Sequence, residues 1–305
     1  MHIFTKDKDT IRKLKTLSND ITITDIKHNA NIIISGQFKK EDYHDNLQAV
    51  IIPYTGHDGI DIKTLKRHNV KLFNTTVHSK FVAEKAMQLA LSLLGNIPNY
   101  HNNLKEGYWS KRTSKDRIPW VSMFNKHIGI YGYGRIGKFI HDMVRPFNTV
   151  VHVIDRGKAY QDVITEPSLE SLMNQSDILF IAAPLTNYTE NAINLTNIKY
   201  LKNKYVINVG RGPIINEDAL YHALKTKLLK GFASDVWYQY PTKDTPKTYP
   251  STHPIHTFDN VVLSPHCGGH TTNSKSTMTD RVIEHVKNIL NDNINDALDL
   301  TKLTQ

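Results

Sequence analysis

The chain has 305 residues, 39% of them hydrophobic and 22% charged, a composition that excludes a disordered or fibrous protein and suits two folded domains. Its formal charge of +9 comes from 38 basic and 29 acidic residues. The lysines are scattered and form no basic stripe, so a surface that favours anionic ligands is expected and a nucleic-acid partner is not. The single cysteine, Cys267, excludes an internal disulfide and a cysteine metal cluster, and no metal site is expected.

The N-terminal MHIFTKDKD lacks the apolar core of a signal peptide, and no apolar run reaches the roughly 18 residues of a membrane span. A cytoplasmic protein without a membrane partner is expected. The first 75 residues alternate short strands (2–5, 21–26, 31–36, 48–54 and 70–74) with helices near 9–17 and 61–68. That rhythm predicts a small parallel α/β domain whose ligand edge lies at the strand C-termini, where TGHDGID (55–61) falls. Residues 79–94 predict a long apolar-faced helix capped by Ser79 and crossing between domains. Residues 96–126, with Trp109 and Trp120, show no period that assigns them to an element.

From 127 onward the pattern is strand then helix, with six parallel strands expected near 128–132, 150–155, 178–183, 204–209, 231–236 and 261–264. The stretch HIGIYGYGRIG (127–137) runs from an apolar strand through G-x-G-x-x-G into an amphipathic helix, the context a dinucleotide fingerprint requires. Gly132 permits the tight turn, Gly134 lets a pyrophosphate approach the backbone, and Gly137 allows close helix–strand packing. The phosphates would rest on the helix N-terminus. A second strand ends at Asp155, 18 residues after Gly137, near the roughly 20 expected of a ribose-binding carboxylate. Asp155 favours NAD, and Arg156 leaves NADP open. After the loop Pro241 to Pro254, a last helix near 271–292 uses Val282, Ile283, Val286, Ile289 and Leu290, and is expected to return to the first domain.

Three strand ends carry candidate chemistry: Arg211 in INVGRGPI, Asp235 inside the apolar FASDVW, and His266 in VVLSPHCGGH. Singly, each has a bland reading as a surface arginine, a capping aspartate or a histidine at a turn. Together they suit reduction of a 2-oxo acid, which needs a hydride from nicotinamide, a proton donor and a cation for the carboxylate. Arg211 offers a bidentate fork, and an imidazole with an unperturbed pKa of about 6.5 suits proton transfer in both directions.

GYGRIG, AAPLTNYTENAIN (182–194), INVGRGPIINEDAL (207–220), GFASDVW (231–237) and SPHCGG (264–269) stand in the order of the D-isomer-specific 2-hydroxyacid dehydrogenases, which the chain resembles over nearly all its length. TGHDGID and FNTTVHSKFVAE (73–84) match weaker N-terminal motifs. The resemblance implies a doubly wound parallel-sheet (Rossmann) nucleotide domain, residues 77–271, inserted into a smaller flavodoxin-like α/β substrate domain, residues 1–76 and 272–305. It implies that Arg211 binds the substrate carboxylate, that His266 is the acid/base, that Asp235 holds the nicotinamide carboxamide, and that Thr55 and Gly56 present N–H groups to the substrate. Tyr133, Arg135, Ile136 and Arg156 join the fingerprint and Asp155 in the expected cofactor site. Pro184, Thr189, Val209, Gly210 and Gly268 complete it. A homodimer and a small anionic 2-oxo or 2-hydroxy acid are the expected partners.

One departure stands out. The family pattern continues D-V-F-x-x-E-P, whose glutamate pairs with the histidine, whereas this chain reads DVWYQYP and places Tyr240 there, after Gln239. A phenol supplies no charge, so His266 is expected to titrate lower than is typical of the family, unless Asp244 or Asp259 substitutes. Two other functions remain open at this level: a formate-type dehydrogenase, and an NAD-sensing binding protein that has lost catalysis.

Overall fold

The computed structural model describes residues 1–57, 59–109, 119–158, 160–301 and 303. Asp58 of TGHDGID and residues 110–118 of the unassigned stretch lie outside the described residues. The chain divides into two compact units, residues 1–79 with 269–305, and residues 80–268.

In the first unit the described elements are β1 (His2–Phe4), α1 (Lys8–Leu17), β2 (Thr22–Thr24), β3 (Ile32–Ile34), β4 (Ala49–Ile52), α2 (Ile62–Arg67) and β5 (Lys71–Asn74). The five strands form a parallel sheet in the order β2-β1-β3-β4-β5. Runs such as Ile32–Ile34 and Ala49–Ile52 are apolar without alternation because both faces are covered, with Ile33, Val50, Ile52 and Leu72 on one face and Ile32, Ile34, Ile51 and Phe73 on the other. Helix α1 begins at Asp7, whose carboxylate accepts the Thr10 N–H at 2.8 Å, and α2 at Asp61, which accepts the Thr64 N–H at 3.1 Å. The strands are shorter than the apolar runs suggest. Ile26, expected in a strand, is exposed.

The second unit receives the chain within the first turn of α3 (Ser79–Leu94), followed by α4 (Ile97–Lys105). Ser79 is buried, but its hydroxyl has no hydrogen-bond partner, so it does not cap the helix as the sequence suggests. Then come β6 (His127–Tyr131), α5 (Arg135–Val144), β7 (Val150–Ile154), β8 (Ile164–Glu166), α6 (Leu169–Gln175), β9 (Ile178–Ile181), β10 (Tyr205–Asn208), α7 (Glu217–Lys225), β11 (Gly231–Ser234) and β12 (Val261–Leu263). The described strands form a seven-stranded parallel sheet, ordered β12-β11-β10-β9-β6-β7-β8. Helices α3 and α5 cover one face with Ala86, Ala90, Leu94, Ile140 and Val144, and α6 and α7 cover the other with Leu172, Met173, Leu220 and Leu224. The sheet is doubly wound, and its order reverses between β6 and β9, the switch point where such sheets bind ligands. Strand β8 was not expected. It has only three residues, too few to impose a hydropathy period.

The last helix, α8 (Ser274–Leu290), belongs to the first unit, where Val282, Ile283, Val286 and Ile289 pack with Leu14, Ile3 and Phe73. Leu290, assigned to the same stripe from sequence, faces outward instead.

Candidate active site

The glycine-rich turn links β6 to α5, and its three glycines meet three different environments. Gly132 has φ +103°, and a Cβ there would lie 2.4 Å from the Ala183 nitrogen. At Gly137 a Cβ would lie 2.4 Å from the Gly132 carbonyl oxygen, so this position holds α5 against the turn. At Gly134 a Cβ would meet no atom within 4 Å. Gly134 is also the N-cap of α5, exposed and supplying no side-chain hydrogen bond to the helix. Exposed backbone at a helix N-terminus, with open space where a side chain would stand, fits a dinucleotide's phosphates.

The neighbours of those glycines divide. Arg135 is exposed, whereas Tyr133 and Ile136 pack their side chains against the apolar core of the sheet. The Tyr133 hydroxyl lies 2.6 Å from His141 Nδ1, and its ring meets Tyr160 edge-on. Burial lowers the His141 pKa and raises that of Tyr133, so the bond joins two neutral groups. Only the backbone of Tyr133 and Ile136 therefore faces the phosphate region.

At the end of β7, Asp155 and Arg156 are both exposed. The Asp155 N–H donates to the Glu166 carbonyl at 2.8 Å, and its Oδ1 accepts the Gly157 N–H at 2.8 Å. After β9, the turn from Pro184 to Thr189 closes on itself. The Thr189 hydroxyl donates to the Pro184 carbonyl at 2.6 Å and accepts the Thr186 N–H at 2.8 Å. Thr189 thus shapes this loop from within. Val209 is buried beside it in the sheet core.

Arg211, Asp235 and His266 follow β10, β11 and β12, which lie side by side and parallel. Asn208, the last residue of β10, is buried, and its amide accepts the Gly210 N–H at 3.0 Å while donating to the Arg211 carbonyl at 2.9 Å. The Arg211 guanidinium donates back to the Gly210 carbonyl at 2.8 Å. A Cβ at Gly210 would stand 2.6 Å from the Ala183 carbonyl oxygen, so this loop abuts the loop after β9.

Asp235 lies just beyond β11, not within a strand as the apolar run suggests, and is 3% exposed. Its Oδ1 accepts the Ser264 hydroxyl at 2.6 Å and the Cys267 N–H at 2.9 Å, and its Oδ2 accepts the Gly268 N–H at 2.7 Å. These donors flank His266, whose φ is +55°. A non-glycine residue in that region costs about 1–3 kcal/mol, whereas each hydrogen bond to a charged group contributes about 1.5–3 kcal/mol. Three such bonds outweigh the strain. Trp237 Nε1 also donates to the Ser264 carbonyl at 2.7 Å, fixing the loop's near end.

Tyr240 is the side chain brought to His266 from this stretch, with ring centroids 5.4 Å apart and planes inclined by 51°. Its hydroxyl accepts the Trp237 N–H at 3.0 Å. Partial burial raises the Tyr240 pKa against the opposing effect of that N–H, so the phenol stays neutral. Gln239 is exposed, its N–H bonded to the Pro250 carbonyl. Thr55 and Gly56 belong to the first unit, where the Thr55 hydroxyl donates to the Thr75 carbonyl at 3.2 Å and Asn74 Nδ2 donates to the Thr55 carbonyl at 2.8 Å.

Sequence reasoning missed Asn208, Ser234 and Ser264. Ser234 is fully buried, accepts the Val236 N–H at 3.1 Å and lies 3.2 Å from the Asn208 carbonyl oxygen. The available signal was a polar residue in each of three apolar strand ends. Among the described residues no group of side chains could hold a metal, and no helix is long and apolar enough to cross a membrane.

A doubly wound sheet with a phosphate-binding turn at its switch point, and with a cation, a carboxylate and an imidazole on neighbouring strand ends, defines a nicotinamide-dependent oxidoreductase. Residues 87–268 match the model of the D-isomer specific 2-hydroxyacid dehydrogenase NAD binding domain, and the chain belongs to that family. It is 29% identical over 260 residues to a glyoxylate reductase of Thermofilum pendens, covering 83% of this chain and 75% of that protein. It is 29% identical over 244 residues to a hydroxypyruvate reductase of Thermotoga maritima, covering 79% and 77%. In fold it resembles an NADPH-dependent glyoxylate/hydroxypyruvate reductase of Sinorhizobium meliloti, with a TM-score of 0.83 at 22% identity over 100% of this chain and 98% of that one. The chain is an NAD(P)-dependent dehydrogenase of 2-hydroxy acids.

The glycine environments predict a separation of effects. Gly134→Ala shifts the apo-protein's thermal midpoint by no more than about 3 °C and weakens NADH binding. Gly132→Ala lowers the midpoint further, because its Cβ meets main chain. Thermal melts and NADH fluorescence titrations of both variants measure the two effects.

Proposed function

We propose that the chain interconverts small 2-oxo acids, such as glyoxylate and hydroxypyruvate, and their D-2-hydroxy acids, with NAD as the preferred cofactor. The observation that carries this reading is the placement of Arg211, Asp235 and His266 on three adjacent strand ends of one sheet edge. Bound NAD supplies or takes up the hydride. The backbone of residues 132–137 holds the diphosphate, with Arg135 beside it, and Asp155 takes the adenosine ribose. Arg156 beside Asp155 leaves NADP usable. The loops with Pro184, Thr189, Val209, Gly210 and Gly268 line the rest of the cofactor site. Asp235 Oδ2 accepts the Gly268 N–H, and a carboxylate oxygen has a further lone pair that suits the nicotinamide carboxamide.

Arg211 pairs with the substrate carboxylate through its planar fork, on a backbone that Asn208 braces from both sides. Held there, the substrate presents its carbonyl to His266. In reduction the imidazolium gives its proton to the carbonyl oxygen as the C–H bond forms, and in oxidation the neutral imidazole takes the hydroxyl proton. Tyr240 stands against that ring as a neutral partner.

His266→Ala lowers kcat for glyoxylate reduction by about 10²–10⁴-fold with NADH affinity kept, read from steady-state NADH oxidation and a binding titration. Tight NADH binding by the wild-type chain without turnover of glyoxylate, pyruvate, hydroxypyruvate or longer 2-oxo acids would sink the reading in favour of a nucleotide-sensing protein.

Tyr240→Glu tests the departure at that position. A carboxylate beside the imidazole stabilises its protonated form, the form that reduction needs. The variant's reduction rate therefore persists to higher pH, whereas the wild-type rate falls earlier, by up to about tenfold per pH unit beyond the controlling pKa. Superimposable pH profiles for kcat/KM would show that position 240 does not set the acid/base.

We further infer a homodimer formed through the second unit. Its support is a group of exposed apolar side chains, Leu91, Ile97, Trp120 and Phe124, which line one surface hollow. Sedimentation velocity is expected to give a dimer that Ile97→Asp dissociates, and a wild-type monomer at micromolar concentration would refute it.

A further inference from the structure

Glu166 is 7% exposed at the end of β8, a strand of three residues on the sheet's edge. The other two side chains of that strand, Ile164 and Thr165, face solvent, so Glu166 is the one that ties β8 to the body of the sheet. A buried carboxylate is tolerated when both oxygens are bonded, and here they are. Oε1 lies 2.8 Å from His152 Nδ1 on β7, and Oε2 accepts the Ser171 hydroxyl of α6 at 2.5 Å. His152, itself 4% exposed, places Nε2 2.8 Å from His127 Nδ1 on β6. One polar chain thus crosses three neighbouring strands.

The same residue reaches the nucleotide edge through its main chain. The Glu166 carbonyl accepts the N–H of Asp155, the first residue beyond β7. Glu166 pairs in register with Ile154, so any shift of β8 moves the acceptor on which Asp155 hangs. The Asp155 carboxylate is oriented by a second bond, from the Gly157 N–H at a glycine with φ +66°. Asp155 therefore sits on two bonds, and one of them comes from the strand that Glu166 and His152 pin.

We propose that Glu166, pinned by His152, is a positioning residue for Asp155 and so sets the affinity of the chain for the adenosine ribose of its cofactor. This rests on the reading of Asp155 as the ribose ligand. Glu166 touches neither cofactor nor substrate in this role. It acts through the placement of another carboxylate. A brace of purely structural purpose would lower stability and weaken every cofactor alike, whereas a positioning residue weakens only a cofactor that carries the adenosine.

The experiment compares NADH with reduced nicotinamide mononucleotide, which has no adenosine, by fluorescence titration of the full chain. Glu166→Ala is expected to weaken NADH by about tenfold, a difference of about 1.4 kcal/mol, and to leave the mononucleotide unchanged. Glu166→Gln, which keeps an acceptor for His152, weakens NADH by less and serves where the alanine variant folds poorly. In a double-mutant cycle, Asp155→Ala with Glu166→Ala binds NADH no more weakly than Asp155→Ala alone, because both remove one contact. Equal weakening of both cofactors, additive losses in the cycle, or wild-type NADH affinity in a folded Glu166→Ala each overturn the proposal. If Asp155→Ala alone leaves NADH affinity unchanged, the ribose reading itself is wrong and the proposal falls with it.

Discussion

The seven described strands run the same way and place their carboxyl ends along one edge of a sheet, and this parallelism is the constraint on which the rest of the second unit depends. The glycine turn, Asp155, the Pro184 loop, Arg211, Asp235 and His266 come from six different strand ends spread over more than 130 residues of sequence, Gly132 to His266. The direction of the strands brings them to a single edge. Helices on both faces make this arrangement stable, since a parallel sheet buries both sides and draws its core from uninterrupted apolar runs such as Ile178–Ile181.

Edges of this kind are built of loops, and each loop here is held by a buried polar side chain at its base. Asn208 holds the Arg211 loop, Asp235 the His266 loop, Thr189 the turn after β9, and Glu166 the strand beneath Asp155. Burying these groups costs about 1–3 kcal/mol each when they are unpaired. Asn208, Asp235 and Thr189 are bonded to main-chain groups of their loops, and the Glu166 carboxylate to His152 and Ser171, so polar burial and loop geometry are solved together. His266 shows the consequence: a left-handed backbone that is unfavourable alone persists because Asp235 binds on both sides of it.

Tyr240 is where this chain differs from the pattern of its family. Its hydroxyl is turned to the Trp237 N–H, and its ring faces His266. The residue thus keeps a packing role beside the imidazole while removing a negative charge from it. Hydride transfer to a 2-oxo acid tolerates that change in principle, because the charge of the carboxylate tunes the proton donor and is not itself consumed.

The sequence by itself determined what depends on local chemistry. The glycine fingerprint was legible because Gly132 must adopt a positive φ and Gly137 must admit the Gly132 carbonyl, which no other residue type permits. Strand and helix identity followed from apolar runs and periods, and the candidate site residues were picked out by their positions at strand ends. Tertiary structure decided whatever rests on pairs distant in sequence. Asp235 meets Ser264 and Gly268 about thirty positions away, and Ser79 proves to be a buried hydroxyl and not a cap. Tyr133 and Ile136 turn their side chains into the core, and β8 exists only because β7 pairs with it and Glu166 reaches His152. A three-residue strand or a buried carboxylate has no period and no local signature, so only the folded partners that satisfy it reveal its place.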